Sequence, residues 1–141
     1  MQKALKEARL AAESGEVPVG AVIVKSGKII ASAHNLCESG KNPLFHAEML
    51  AISEALENLS AKRLDNCDLY VTLEPCVMCC GAIVHARISR VFFGAYDKLF
   101  GGVVSKAHCF NPPIAEIEYY CGIMEDECSE VLTDFFNNLR K

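Results

Sequence analysis

Two short stretches hold the residues best suited to chemistry. His46-Ala47-Glu48 follows Asn42-Pro43-Leu44-Phe45, and Pro75-Cys76-Val77-Met78-Cys79 comes later in the chain. Together they read H-x-E … P-C-x-x-C. They supply an imidazole, two thiols and a carboxylate. Two thiolates and a neutral imidazole are a three-ligand set for zinc. Structural zinc takes four protein ligands, whereas three leave a position open, which is the catalytic pattern. Glu48 stands two residues past His46, where it does not share the metal's approach but can hang over the open position. A carboxylate there can move protons between water and a substrate. The chemistry implied is hydrolytic attack on an amidine-like carbon with loss of ammonia.

The elements around these stretches have to bring them together. Gln2 to Ser14 has Leu5, Ala8 and Ala12 at helical spacing, closed by Gly15 and followed by Pro18. Val19 to Lys25 and Lys28 to His34 flank Ser26-Gly27 and predict an antiparallel hairpin. Asn35 to Phe45 reads as a loop punctuated by Gly40, Asn42 and Pro43. His46 opens a helix with Met49, Ile52, Leu56 and Leu59 as its apolar stripe. Leu69, Val71 and Leu73 alternate with Tyr70, Thr72 and Glu74, as in a strand.

Pro75 is expected at the start of the next helix, where its missing N–H costs nothing. That helix, to about Ala86, is apolar nearly all round. Cys76 and Cys79 would share one face of its first turn, where the helix dipole favours thiolates. Val91-Phe92-Phe93 reads as a buried strand. Gly94 to Pro113 is broken by Gly101-Gly102 and Pro112-Pro113, with room for a short helix. Ile117 to Tyr120 reads as a last strand. Glu125 to Leu139 reads as a helix with Cys128, Val131, Leu132, Phe135, Phe136 and Leu139 on one face. This order predicts a mixed sheet with helices on both sides.

Other uses of the motif are weighed against the zinc reading. A strand–C-x-x-C–helix context also suits a redox dithiol, but such a site has no use for His46-Ala47-Glu48. A structural zinc site needs a fourth ligand. Cys80 points away along the helix, and the spacing of His34, His85 and His108 does not supply one. Of the eight cysteines, Cys37, Cys67, Cys109, Cys121 and Cys128 lie scattered among apolar neighbours and read as small buried hydrophobes.

At 141 residues and 51% hydrophobic the chain is expected to form a single domain, 1–141, with a true core. No apolar run approaches the length of a membrane span, and the charged N-terminus lacks the apolar stretch of a secretory signal, so a cytoplasmic address is the expectation. The net charge of −4 argues against sequence-blind nucleic-acid binding, which needs a broad basic surface.

His46-Ala47-Glu48 with Thr72-Leu73-Glu74-Pro75-Cys76-Val77-Met78-Cys79 resembles the cytidine deaminase-like superfamily. Within it the chain is most similar to the bacterial tRNA-specific adenosine deaminases. Val17-Pro18-Val19-Gly20-Ala21-Val22-Ile23-Val24, Gly81 to Ile88, Phe93-Gly94-Ala95 with Asp97, and Asp134-Phe135-Phe136 extend the likeness nearly end to end. The resemblance implies an α/β chain with a three-layer α-β-α cytidine deaminase-like fold and a mixed five-stranded sheet. It implies one Zn2+ per chain on His46, Cys76 and Cys79. Glu48 would be catalytic, carrying protons to N1 of adenine and to the ammonia leaving C6. Asn35, Ala47 and Asp97 would contact substrate. The implied partners are a tRNA anticodon stem-loop, whose wobble adenosine becomes inosine, and a second copy of the chain.

Two departures stand out. Pro43-Leu44-Phe45 replaces the family's Pro-Thr-Ala beside the base pocket, and Lys98-Leu99-Phe100 replaces a more polar turn. Packing or dimer contact is the plainer expectation for Leu44, Phe45, Leu99 and Phe100. The alternative activity is deamination of a free base, nucleoside or nucleotide of the guanine or cytosine type. A catalytically silent, zinc-folded binding module is the alternative outside enzymes, and the intact Glu48 argues against it.

Overall fold

The computed structural model describes residues 1–141. Its elements run α1 (Gln2–Glu13), β1 (Gly20–Lys25), β2 (Lys28–His34), α2 (Ala47–Asn58), β3 (Cys67–Leu73), α3 (Val77–Ala86), β4 (Arg90–Ala95), β5 (Glu118–Tyr120) and α4 (Glu125–Leu139). The five strands lie in the order β2-β1-β3-β4-β5. β1 is antiparallel to both β2 and β3, while β3, β4 and β5 are parallel. The mixed α/β sheet expected from the sequence is therefore present. The hairpin turn also holds: Ser26 and Gly27 have φ of 51° and 75°, the two positive angles a two-residue type I′ turn needs.

The main core lies where α2 and α3 meet the sheet. Ala47, Ala51, Ala55, Ile83, Leu69, Val71, Val91 and Phe93 are fully buried there. The buried edge of α2 is mostly alanine, so the helix sits close to the strands. The expected stripe of larger residues is only partly right. Ile52 is buried, but Met49, Leu56 and Leu59 are half-buried beside the alanine line. A smaller cluster of Leu5, Ala95 and Cys128 joins α1 and α4 to the sheet.

Other expectations need correction. Pro75 precedes the helix, because Cys76 is the N-cap with extended backbone (φ −74°, ψ 174°) and Val77 is the first helical residue. No helix forms between Gly94 and Pro113; that segment is turns, tied by Gly102 N–H to Pro75 O (2.7 Å) and Cys109 N–H to Gly102 O (2.7 Å). The α4 boundaries match, but Cys128 is its one buried residue, and Phe136 and Leu139 face outward. Glu74, read as the end of the β3 alternation, lies one residue past the strand and is buried. No helix is long and apolar enough to cross a membrane.

The register of β3 on β4 pairs Leu73 with Ala95, so the two parallel strands end side by side. The segments leaving them, Glu74–Cys76 and Tyr96–Asp97, emerge at the carboxyl edge of the sheet, where open α/β sheets place ligands. On the other side, α1 lies against the start of β1 along Ala4 and Ala8. A Cβ built on Gly20 would strike the Ala4 carbonyl and come within 2.7 Å of Ala8 N. Backbone gives way less than a side chain does. Gly20→Ala should therefore destabilise the fold by roughly 1–3 kcal/mol, seen as a lower urea midpoint at an unchanged m value.

Candidate active site

Two helix starts meet at the carboxyl edge of the sheet. His46 is the N-cap of α2 (φ −70°, ψ 150°), as Cys76 is of α3. Extended backbone at both caps turns the side chains of the two residues toward each other. His46 Nδ1 lies 3.7 Å from Cys76 Sγ and 3.5 Å from Cys79 Sγ. All three donor atoms fall within 4.8 Å of one another. For a tetrahedral zinc with ordinary Zn–S and Zn–N lengths, the N···S edge is about 3.6 Å. The donor set thus fits zinc in type and in spacing, and Nδ1 is the imidazole atom that takes part.

The charge state of the donors suits a cation. The Cys79 thiol beside it, and then His46, hold the Cys76 thiol down to about 4, against burial, which opposes ionisation. Cys79 goes the other way: its proton is held by the bond to the Cys76 sulfur, and burial adds to this. The pair therefore ionises once with ease, and a bound cation favours the second ionisation as well. His46 is pushed up, chiefly by its bond to Cys76. Both helix N-termini add positive potential here.

Glu48 lies one residue into α2 beyond Ala47 and is 4% exposed. Burial pushes its carboxyl up to about 7, partly opposed by its own backbone N–H and reinforced by the Cys76 thiolate. A carboxyl in that range exchanges protons near neutrality, as a general acid–base group should. It borders a cleft of about 270 Å³ that Asn35, His46, Ala47, Cys76 and Asp97 also line. Cys79 is wholly buried behind these residues.

Asn35 is 8% exposed and held by two long bonds, from its Nδ2 to Val17 O (3.4 Å) and to its Oδ1 from Cys37 N–H (3.3 Å). It lines the cleft, and its amide is only loosely engaged. Asp97 accepts from the N–H groups of Leu99 (3.1 Å) and Phe100 (3.0 Å) at Oδ1. That is a turn-forming role, and Asp97 also lines the cleft. The structure brings all seven sequence-selected residues to one place.

The sequence reading gave no role to two buried glutamates, one on each side of the cleft. Glu74 accepts from the N–H groups of Asp97 (3.1 Å), Val103 (3.1 Å), Val104 (2.9 Å) and Ser105 (3.0 Å), and from the Ser105 hydroxyl. It fixes the 97–105 loop against the ligand-bearing turn. Gly101 and Gly102 make this possible, since a side chain at Gly101 would strike the Glu74 carboxylate and one at Gly102 would press on Cys80 Sγ at 2.8 Å. Glu16 does the same opposite, accepting from Glu38 N–H (3.0 Å) and Ser39 N–H (2.7 Å). The usable signal for Glu74 was Gly101-Gly102 with Ser105, a donor-rich loop in search of an anion.

Packing within the chain does not account for the apolar departures. Leu44, Leu99 and Phe100 are exposed, and Phe45 alone packs, its ring lying where a Cβ on Gly40 would be at 2.5 Å. Cys37, expected to be buried, is half-buried and lines the cleft. Cys67, Cys109 and Cys128 are buried as expected, and Cys121 is half-buried.

The family model for the cytidine and deoxycytidylate deaminase zinc-binding region matches residues 1–95. A tRNA-specific adenosine deaminase from Aquifex aeolicus is 51% identical over 144 aligned residues, covering 99% of this chain and 93% of that protein. One from Bacillus subtilis is 47% identical, covering 100% of this chain and 89% of that protein. Among solved structures, one from a study of A-to-I editing by tRNA:A34 deaminases superposes with a TM-score of 0.91 at 44% identity. That superposition covers 94% of this chain and 97% of the other.

Of the two clamping carboxylates, Glu16 lies apart from the ligand set. Burial alone would raise its pKa, but bonds from Ser39 and Glu38 outweigh this and bring it below the ordinary 4.5. A carboxyl lowered on folding adds stability above its unfolded pKa and loses it as pH falls through the folded value. Glu16→Gln should therefore cost most above the ordinary carboxyl range and progressively less as pH falls below it. Urea titrations of the two proteins across that range read the difference.

Proposed function

The chain belongs to the zinc-binding cytidine and deoxycytidylate deaminase family, and we infer that it deaminates adenosine to inosine at the wobble position of a tRNA anticodon. The observation that carries this reading is the likeness to tRNA-specific adenosine deaminases, which runs the whole length of the chain at up to 51% identity. The site supports it with a three-donor zinc set beside a buried carboxylate and a cleft open to solvent on one side.

His46, Cys76 and Cys79 would hold one zinc ion per chain. Zinc bound by three protein ligands supplies the Lewis acidity that makes water nucleophilic near neutral pH. Glu48 takes a proton from the attacking water and delivers it to N1 of adenine as the C6–O bond forms; it then takes the proton of the new C6 hydroxyl and delivers it to the amino group, which leaves as ammonia when the C6–N6 bond breaks. Its burial keeps bulk water from competing for that proton and holds the carboxyl pKa in the working range. The Asn35 amide, loosely held, is free to bond the target nucleotide. Ala47, fully buried between the ligand and the shuttle, leaves room for the ring because it has no bulk. The base is flipped out of the loop into the cleft, as in other enzymes that act on a nucleobase.

We assign a homodimer to this function. A helix that is apolar on all sides is normally covered on all sides. α3 leaves Val77 57% exposed and Met78, Ala82 and Val84 only half-buried. A second copy is the cover this reading supplies, and a tRNA substrate places the protein in the cytoplasm.

Purified protein should convert adenosine to inosine in an anticodon stem-loop with adenosine at the wobble position. It should leave free adenine, guanine, cytidine and deoxycytidylate untouched in parallel assays. Turnover of a free base with none in the RNA would overturn the assignment. Glu48→Gln should keep its zinc by metal analysis and lose roughly 100- to 10,000-fold in kcat, the range for a removed general acid–base group. The native protein should sediment at twice the chain mass, and Ala82→Arg should shift it to the monomer.

A further inference from the structure

We propose that Phe100, flanked by Leu99, is a stacking platform for a nucleotide next to the adenosine in the cleft. The inference rests on the tRNA reading above. Leu99 is 76% exposed and Phe100 70%, the two highest values among the large hydrophobic side chains. They occupy the tip of the loop whose first residue, Asp97, lines the cleft. The tip is also tied to the ligand turn, because Gly101 bridges to Cys76 in an antiparallel pair. The two side chains therefore stand on the rim of the cavity that receives the base.

This tip is held in place. Asp97 Oδ1 accepts from both Leu99 N–H and Phe100 N–H. Glu74 holds Asp97 on one side of the tip and residues 103 to 105 on the other. Gly101 N–H closes back to Asp97 O at 2.9 Å. A clamped loop that keeps an aromatic ring in water has already met the ordering cost of a contact. The occupant follows from continuity with the cleft. A base inserted there is part of a strand, so its neighbours cross the rim. Unstacked bases of single-stranded loops are recognised by stacking on aromatic side chains.

Charge points the same way. At −4 overall, the chain has no net positive charge to attract phosphates at long range, which gives added value to contacts with the bases. A second copy of the chain is the competing occupant, but the half-covered face of α3 already offers it a separate surface.

The test is a cycle between protein and RNA. Wild type, Phe100→Ala and Phe100→Trp are assayed on the anticodon stem-loop and on two versions abasic at one or the other neighbour of the wobble adenosine. Phe100→Ala should raise KM roughly 10-fold on the intact RNA, with most of the effect in KM and not in kcat. It should have little further effect on one of the abasic RNAs, and Phe100→Trp should restore wild-type KM. Sedimentation of Phe100→Ala should match wild type. An equal loss on all three RNAs, no loss on any, or a loss that accompanies a change of oligomeric state would overturn the proposal. Wild-type protein inactive on the intact stem-loop would remove the tRNA reading itself, and the proposal with it.

Discussion

Everything in this molecule depends on bringing one imidazole nitrogen to within 3.5–3.7 Å of two thiols from helices about 30 residues apart in sequence. Three such donors do not gather without help, since each prefers water or a proton to the others. The sheet supplies the help. α2 and α3 lie side by side on one face, and their first residues arrive at the same edge. Both caps have extended backbone, so the donors turn toward a common point rather than along their own helices. The alanine edge of α2 is part of this device, because a bulkier edge would lift the helix from the sheet and carry His46 away.

Three buried glutamates surround that point, and their environments divide the work. Glu74 and Glu16 are fed by loop N–H groups, which overcome the effect of burial and keep both carboxyls below their ordinary range. They are anions at neutral pH, and each pins a wall of the cleft. Glu48 has no loop of donors around it. Burial dominates, and its carboxyl sits near neutrality. The same side chain is thus structural or chemical according to how many N–H groups reach it. A cleft with walls pinned on both sides keeps its shape when empty, which lowers the cost of accepting a flipped base.

How much of this was legible in the sequence follows from what each signal measures. The grouping of His46, Cys76 and Cys79 beside Glu48 was readable because the chemistry fixes residue type and spacing. The ends of α4 were readable because helical period and capping are local. The alternation in β3 gave no hint of the role of Glu74, because period two reports which way a side chain points and says nothing of what approaches it. The anion's partners come from residues 97 and 103 to 105, which no local pattern joins to residue 74. The stretch from Gly94 to Pro113 was unreadable for the same reason: its backbone groups are satisfied by distant ones. The stripe on α2 was overcalled because a hydrophobicity pattern favours large residues, whereas close packing against a sheet selects small ones.

The acidic net charge sets the last constraint. RNA-binding proteins commonly draw on a basic surface, and this chain has 14 Lys and Arg against 18 Asp and Glu. A weak general attraction makes recognition depend on what lies within reach of the cleft. The loops beside it expose apolar groups: Leu44 on one, Leu99 and Phe100 on the other, all in contact with water. Exposing them has a solubility cost that a fold of this size does not need to bear. Both loops are fixed by buried carboxylates, so this exposure is built in.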